Sequence, residues 1–167
     1  MLKLTKKADY GLIALKHLAV NQVRGSCSAK EIADCYGIPL PLLSKILQKL
    51  GKAGFLQSVQ GTNGGYKLAR DAGEITTLQV IRSIDGPIVL TACFTEHGSC
   101  SHSDRCNVRE PLRKVHEGIL RLLSSITIAD MTHDEPPAHG SATNEFEPAR
   151  LYGLAAIPPT IMRNKSI

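Results

Sequence analysis

Apolar residues recur at helical spacing through the first third of the chain. Between Thr5 and Asn21 they fall at Ala8, Leu12, Leu15, Leu18 and Ala19, which places them on one face of a helix. Asn21 to Cys27 is polar, carries Gly25 and reads as a loop. Ser28-Ala29-Lys30-Glu31 has the form of a capping box, in which the hydroxyl and the carboxylate each take an orphan amide at a helix start. The short helix it opens is expected to end near Cys35, with Gly37 supplying a tight turn. A third helix is predicted from Pro41 to Ala53, stopped by Gly54. Leu43, Ile46, Leu47 and Leu50 form its apolar face, and Ser44, Lys45, Gln48, Lys49 and Lys52 its polar face. Proline suits its first turn, where the amides lack helical partners anyway.

The pattern then changes period. Phe55–Val59 and Tyr66–Ala69 read as two short strands around the turn-forming run Gln60-Gly61-Thr62-Asn63-Gly64-Gly65, a β-hairpin. Thr76 or Thr77 caps a further short helix carrying Leu78, Ile81 and Ile84, which Gly86-Pro87 ends. A polar loop follows, and then Val108, Leu112, Val115, Ile119, Leu122 and Ile126 alternate in steps of four and three. That is the narrow stripe of a coiled-coil seam, and it predicts a dimerisation helix over 108–131 with Asn107 and Glu110 at its cap. A helix packed on its own domain would also accept such a stripe. Beyond it, residues 132–167 hold Pro, Gly, Ser and Asn without periodicity and read as a disordered tail.

Composition narrows the class. With 43% hydrophobic residues and no Trp among 167, the core must be aliphatic. No apolar run approaches the roughly 20 residues needed to span a membrane. The N-terminal segment has no apolar signal core, so the expected location is cytoplasmic. Charge is divided unevenly: residues 1–70 carry 11 Lys/Arg and 3 Asp/Glu, whereas residues 71–167 carry 9 and 12. The basic half points to a polyanion. Two short helices across a tight turn followed by a basic hairpin make a winged helix-turn-helix. The expected fold is therefore mainly α, with a small β-hairpin wing and a long C-terminal dimerisation helix.

In such a unit the second helix lies in the major groove of double-stranded DNA. Ser44, Lys45 and Gln48 would reach base edges, Lys49 and Lys52 would meet phosphates, and Gln60 and Asn63 at the wing tip would approach the backbone or minor groove. The helix-turn-helix and wing together occupy about 1–86. Nothing suggests an enzyme: there is no C-x-x-C pair and no motif for a small-molecule substrate pocket.

The loop over 87–107 contains "ACFTEHGSCSHSDRCNV", with Cys93, Cys100 and Cys106. Five cysteines in a reducing compartment argue for metal or redox chemistry over a disulfide framework. These spacings are longer than zinc knuckles, and three soft thiolates suit an exposed iron–sulfur cluster. Zinc and cluster-free redox thiols remain alternatives. His97 and His102 read as exposed loop histidines, Cys35 as a small core residue and Cys27 as a loop thiol.

Taken together, "LTKKADYGLIALKHLA", "SAKEIADCYGIPLPLLSKILQKLGKAGFLQSVQGTNGGYKLAR", "IDGPIVLTAC" and the cysteine loop resemble the iron–sulfur winged-helix transcription regulators of the IscR/NsrR type. The look is closest to regulators of Suf iron–sulfur assembly, and it covers about residues 1–131. The resemblance implies a homodimeric repressor of iron–sulfur assembly genes, with a cluster on Cys93, Cys100 and Cys106. IscR-like members have a histidine three positions after the last cysteine, where this chain has Arg109. NsrR-like members use a carboxylate of the first helix, reaching across the dimer, and Asp9 matches that position. The expected cluster is [2Fe–2S], with [4Fe–4S] the alternative. A nitric-oxide- or thiol-redox-responsive repressor of the same fold is the rival reading.

Overall fold

The computed structural model describes residues 4–61, 64–94 and 105–133, all within the first of two units, Met1–Glu135. Among the described residues, six α-helices and one hairpin follow in the order α1 (Lys6–Val20), α2 (Ala29–Tyr36), α3 (Leu40–Lys52), β1 (Leu56–Val59), β2 (Gly65–Leu68), α4 (Thr77–Asp85), α5 (Arg109–Ser125) and α6 (Ile128–His133). The expected tail, 132–167, lies outside the described residues except for Thr132 and His133, which complete α6.

α1 is the centre, packed on α3, α4, α6 and β2. Its buried face runs through Ala8, Gly11, Ala14, Leu15 and Leu18, of which Ala14, Leu15 and Leu18 join Ile32 of α2 and Leu43, Leu47 and Leu50 of α3 in one aliphatic core. Gly11 is small for a reason: a Cβ there would lie 2.3 Å from Ile84 Cδ1. Thr5 caps α1 by accepting from the Ala8 amide, and its hydroxyl also donates to Asp85 Oδ1 at 2.7 Å. The start of α1 is thereby tied to the end of α4, which gives the aspartate of the Ile-Asp-Gly-Pro run a structural task.

The caps differ in part from the sequence expectation. Ser28 Oγ accepts from the Glu31 amide at 3.1 Å, but the Glu31 carboxylate turns away and takes Arg24 instead. The reciprocal capping box forms at α4, between Thr76 and Gln79. Gly37, at φ 62°, ends α2 in the left-handed region that glycine enters without strain.

The two strands pair antiparallel with Leu56 opposite Leu68 and Val59 opposite Gly65. A third segment joins the hairpin: the Cys27 amide donates to the Tyr66 carbonyl at 3.0 Å and the Tyr66 amide to the Cys27 carbonyl at 2.8 Å. The backbones are close there because residue 65 is glycine; a Cβ would sit 2.2 Å from the Cys27 carbonyl oxygen. Arg70 closes the base of the hairpin, its guanidinium 4.9 Å from the centre of the Phe55 ring.

The helical run expected over 108–131 is interrupted. α5 ends at Ser125, Ile126 is extended, and the Thr77 amide donates to its carbonyl at 2.8 Å. The chain then turns back as α6 and buries Ile128 in the core beside α1. Neither expected cap operates at the start of α5: Val108 takes the cap position without a side-chain bond, and Glu110 pairs with Arg113, which also pairs with Glu117. α5 buries none of its residues within the single chain.

Candidate nucleic-acid interface and cysteine loop

Helix α3 is held by Leu43, Ile46, Leu47 and Leu50, all buried. Burial of that face leaves Lys45, Gln48, Lys49 and Lys52 exposed and Ser44 half-buried. Its first turn holds no acid, and Pro39 at the cap offers no side-chain acceptor, so the positive end of the helix dipole is left unneutralised. That end and the lysine face suit a phosphate backbone. An open groove of about 450 Å³ runs between α3 and the hairpin, lined by Gln48, Lys52, Gln57, Ser58 and Tyr66. Gln60 is exposed just past β1, and Asn63 lies outside the described residues.

Two details escape the sequence pattern. Lys67 stands exposed on β2, paired in register with Gln57, and adds a cation to the wing. Lys49 Nζ donates to the Ile84 carbonyl at 2.8 Å, capping the C-terminus of α4. The lysine expected at a phosphate thus has a partner inside the fold.

The loop cysteines are described only at its two ends. Cys93 sits half-buried in the short 3₁₀ turn Ala92–Phe94, with its Sγ 3.0 Å from Thr91 Oγ1. Cys106 is half-buried two residues before the cap of α5, and Cys100 lies outside the described residues. Both ends of the loop bear on α5. Cys106 leads directly into it, and the Phe94 ring stacks on His116 of α5, centroids 5.3 Å apart. Asp9 is exposed in the first turn of α1. Cys27 and Cys35 exchange their expected roles: Cys27 is buried in the core and Cys35 is exposed on α2.

A profile of the Rrf2 family, described as iron-dependent transcriptional regulators, matches residues 4–134. The chain belongs to the Rrf2 family. Its relatives include the HTH-type transcriptional regulator NsrR of Geobacillus kaustophilus, 34% identical over 134 residues that cover 80% of this chain and 91% of that protein. The HTH-type transcriptional regulator IscR of Salmonella paratyphi B is 29% identical over 160 residues, 87% of this chain and 97% of the other. Among solved structures, CymR, the global cysteine regulator of B. subtilis, superposes with a TM-score of 0.68 at 28% identity, covering 80% of this chain and 98% of CymR. IscR of T. potens superposes at 0.65 with 32% identity, covering 84% of this chain and 94% of that one. This Rrf2 protein is accordingly an IscR/NsrR-type, DNA-binding winged-helix transcriptional regulator and not an enzyme. Among its described residues, no helix is long and apolar enough to cross a membrane.

Proposed function

We propose that this Rrf2 protein is a homodimeric, cytoplasmic repressor of iron–sulfur assembly genes whose DNA affinity is set by a cluster on Cys93, Cys100 and Cys106. The observation that carries the reading is the attachment of both ends of the cysteine loop to α5, through Cys106 and through the Phe94–His116 stack. α5 also leaves part of its apolar stripe uncovered, with Val108 at its cap, Val115 and Leu122 53%, 52% and 39% exposed. A second copy of α5 is the occupant that a seven-residue stripe fits.

The donor set suits the group. Three thiolates are soft ligands for a cluster, and neither Cys93 nor Cys106 is bound in a disulfide. When bound, the cluster supplies a redox- and ligand-labile centre. The chain's own part is to hold it at the foot of α5 and to read its presence as a change in helix position. Asp9 of the partner is the proposed fourth ligand, supported by its exposure on the first turn of α1. The favoured cluster is [2Fe–2S]. The ligand shifts DNA affinity only by as much as it binds the two dimer conformations unequally. On the DNA side, Ser44, Lys45 and Gln48 read bases, while Lys52, Gln60 and Asn63 meet the backbone. Lys49 reaches a phosphate only by releasing the Ile84 carbonyl.

Anaerobic purification with a visible spectrum and iron and sulfide assays tests the cluster. The expected result is a coloured protein with sulfide near iron, abolished by Cys93→Ala, Cys100→Ala or Cys106→Ala. A protein that stays colourless after reconstitution overturns the cluster and leaves a thiol-redox regulator. Reaction of the cluster with nitric oxide at low stoichiometry, with little response to oxygen, would make nitric oxide the signal.

A further inference from the structure

We propose that His17, Cys27 and Glu31 form a site for a divalent transition-metal ion of zinc-like softness, separate from the three-cysteine loop. One ligand atom from each residue lies within 4.8 Å of the other two. They come from three different segments: His17 from α1, Cys27 from the stretch before α2, and Glu31 from the first turn of α2.

The histidine is the telling member. It is only 9% exposed, and its Nε2 is buried with no hydrogen-bond partner among the described residues. A core histidine normally satisfies both ring nitrogens, so an orphaned one asks for a ligand. The other nitrogen, Nδ1, lies 3.2 Å from the Tyr36 hydroxyl, and the two rings meet edge to face. With the hydroxyl accepting from Nδ1–H, the tautomer is fixed and the Nε2 lone pair is free. This is the outer-shell arrangement that orients a metal-bound histidine.

The other two donors complete a borderline-soft set. Cys27 is 1% exposed, and its backbone is locked by both bonds to Tyr66. Glu31 enters from the exposed side and carries the charge-paired Arg24 at 3.3 Å. Imidazole, thiolate and carboxylate together suit zinc and its neighbours, whereas calcium and magnesium require oxygen donors throughout. Three protein ligands leave one coordination position open.

Charge balance also favours occupancy. On binding, the metal–sulfur bond forms, the S–H bond breaks and its proton leaves to solvent. The dication, thiolate and carboxylate then sum to zero charge, which suits a buried position. Arg24 meets Glu31 through Oε1 at 3.3 Å, so the second carboxylate oxygen can serve the metal while that pair persists. An ion at this point fastens α1 to α2 and, through Cys27 and Tyr66, to the wing. It would brace the elements that approach DNA without involving the cysteine loop.

The test uses the full chain with Cys93, Cys100 and Cys106 replaced by serine, so that neither a cluster nor the loop can account for the metal. Zinc is titrated against a chromophoric chelator, and cobalt is substituted to read thiolate coordination. The expected result is one zinc per chain and a thiolate-to-cobalt charge-transfer band. Adding Glu31→Gln, an exposed change that spares the core, should weaken zinc by more than about tenfold, the least that an outer-shell loss produces. Adding Cys27→Ser should remove the cobalt band. A serine variant that retains no zinc overturns the site, and so does unchanged affinity in Glu31→Gln.

Discussion

Gly65 decides how the wing sits because its Cα faces a carbonyl. Alanine there would place a methyl group 2.5 Å from the Cys27 carbonyl carbon, and backbone cannot step aside as a side-chain tip can. Gly65→Ala should therefore cost about 1–3 kcal/mol and loosen the two Cys27–Tyr66 bonds. Thermal melts should show the lower stability, and DNA titrations a weaker complex. His17 carries a separate prediction. The groups around it are Glu31, Arg24, Cys27 and Tyr36. Burial, the largest influence, holds its pKa below the ordinary 6.5. The unfolded chain thus takes up the proton first, and stability is full above pH 6.5 and declines as pH falls from there toward the folded pKa. Melts of the metal-free protein, with chelator present, between neutral pH and pH 5.5 should show this slope in the native sequence and a shallower one in His17→Gln. Lys45 belongs to the same scale. Lys45→Ala should weaken operator binding more than binding to random DNA; equal losses on the two would move Lys45 away from the bases.

Among the elements, α6 carries more than its six residues suggest. Ile128 is fully buried, and its amide donates to the Ile75 carbonyl at 2.9 Å. Ile128→Ala should destabilise the fold by about 2–5 kcal/mol, measurable by denaturant titration. α3 and α4 are coupled through Lys49. Its ammonium answers the negative end of α4, so Lys49→Met should cost roughly 0.5–1.5 kcal/mol of stability. The same change should disturb DNA binding less than Lys52→Met does. The ion pairs of Arg113 with Glu110 and Glu117 lie on the exposed face of α5 and support that helix only locally.

For the whole molecule, the question is what covers α5. Val115 is half-exposed at the middle of the stripe, where a charge has no place in a packed seam. Val115→Glu should convert a dimer to monomers in sedimentation and lower operator affinity, because two half-sites are then no longer bound by one particle. A native chain that sediments as a monomer would remove the second α5 as the cover of this stripe. The groove formed by Leu4, Ile81, Pro87, Ile88, Ile119 and Leu123 borders the same helix, so its shape should change with dimerisation too.

The sequence by itself determined the helix-turn-helix, the hairpin and the apolar stripe of α5, because each rests on local periodicity and turn chemistry. Even the Gly-Gly-Tyr run announced the wing, although its reason, the approach of Cys27, needed coordinates. Only the tertiary structure decided the rest. Ser28 and Glu31 read as a reciprocal cap, yet Arg24 is a stronger partner for a carboxylate than an amide is. Cys35 stands on a helix beside apolar residues and is exposed, whereas Cys27 stands in a polar loop and is buried under the wing. The continuous stripe ran on through Ile126, but the Thr77 amide and the core's space for Ile128 broke the helix there. The meeting of His17, Cys27 and Glu31 was equally hidden, because no spacing rule brings three segments to one point. Local pattern fixes which face of an element is apolar; which elements meet, and which side chains they trap, is settled by packing at long range.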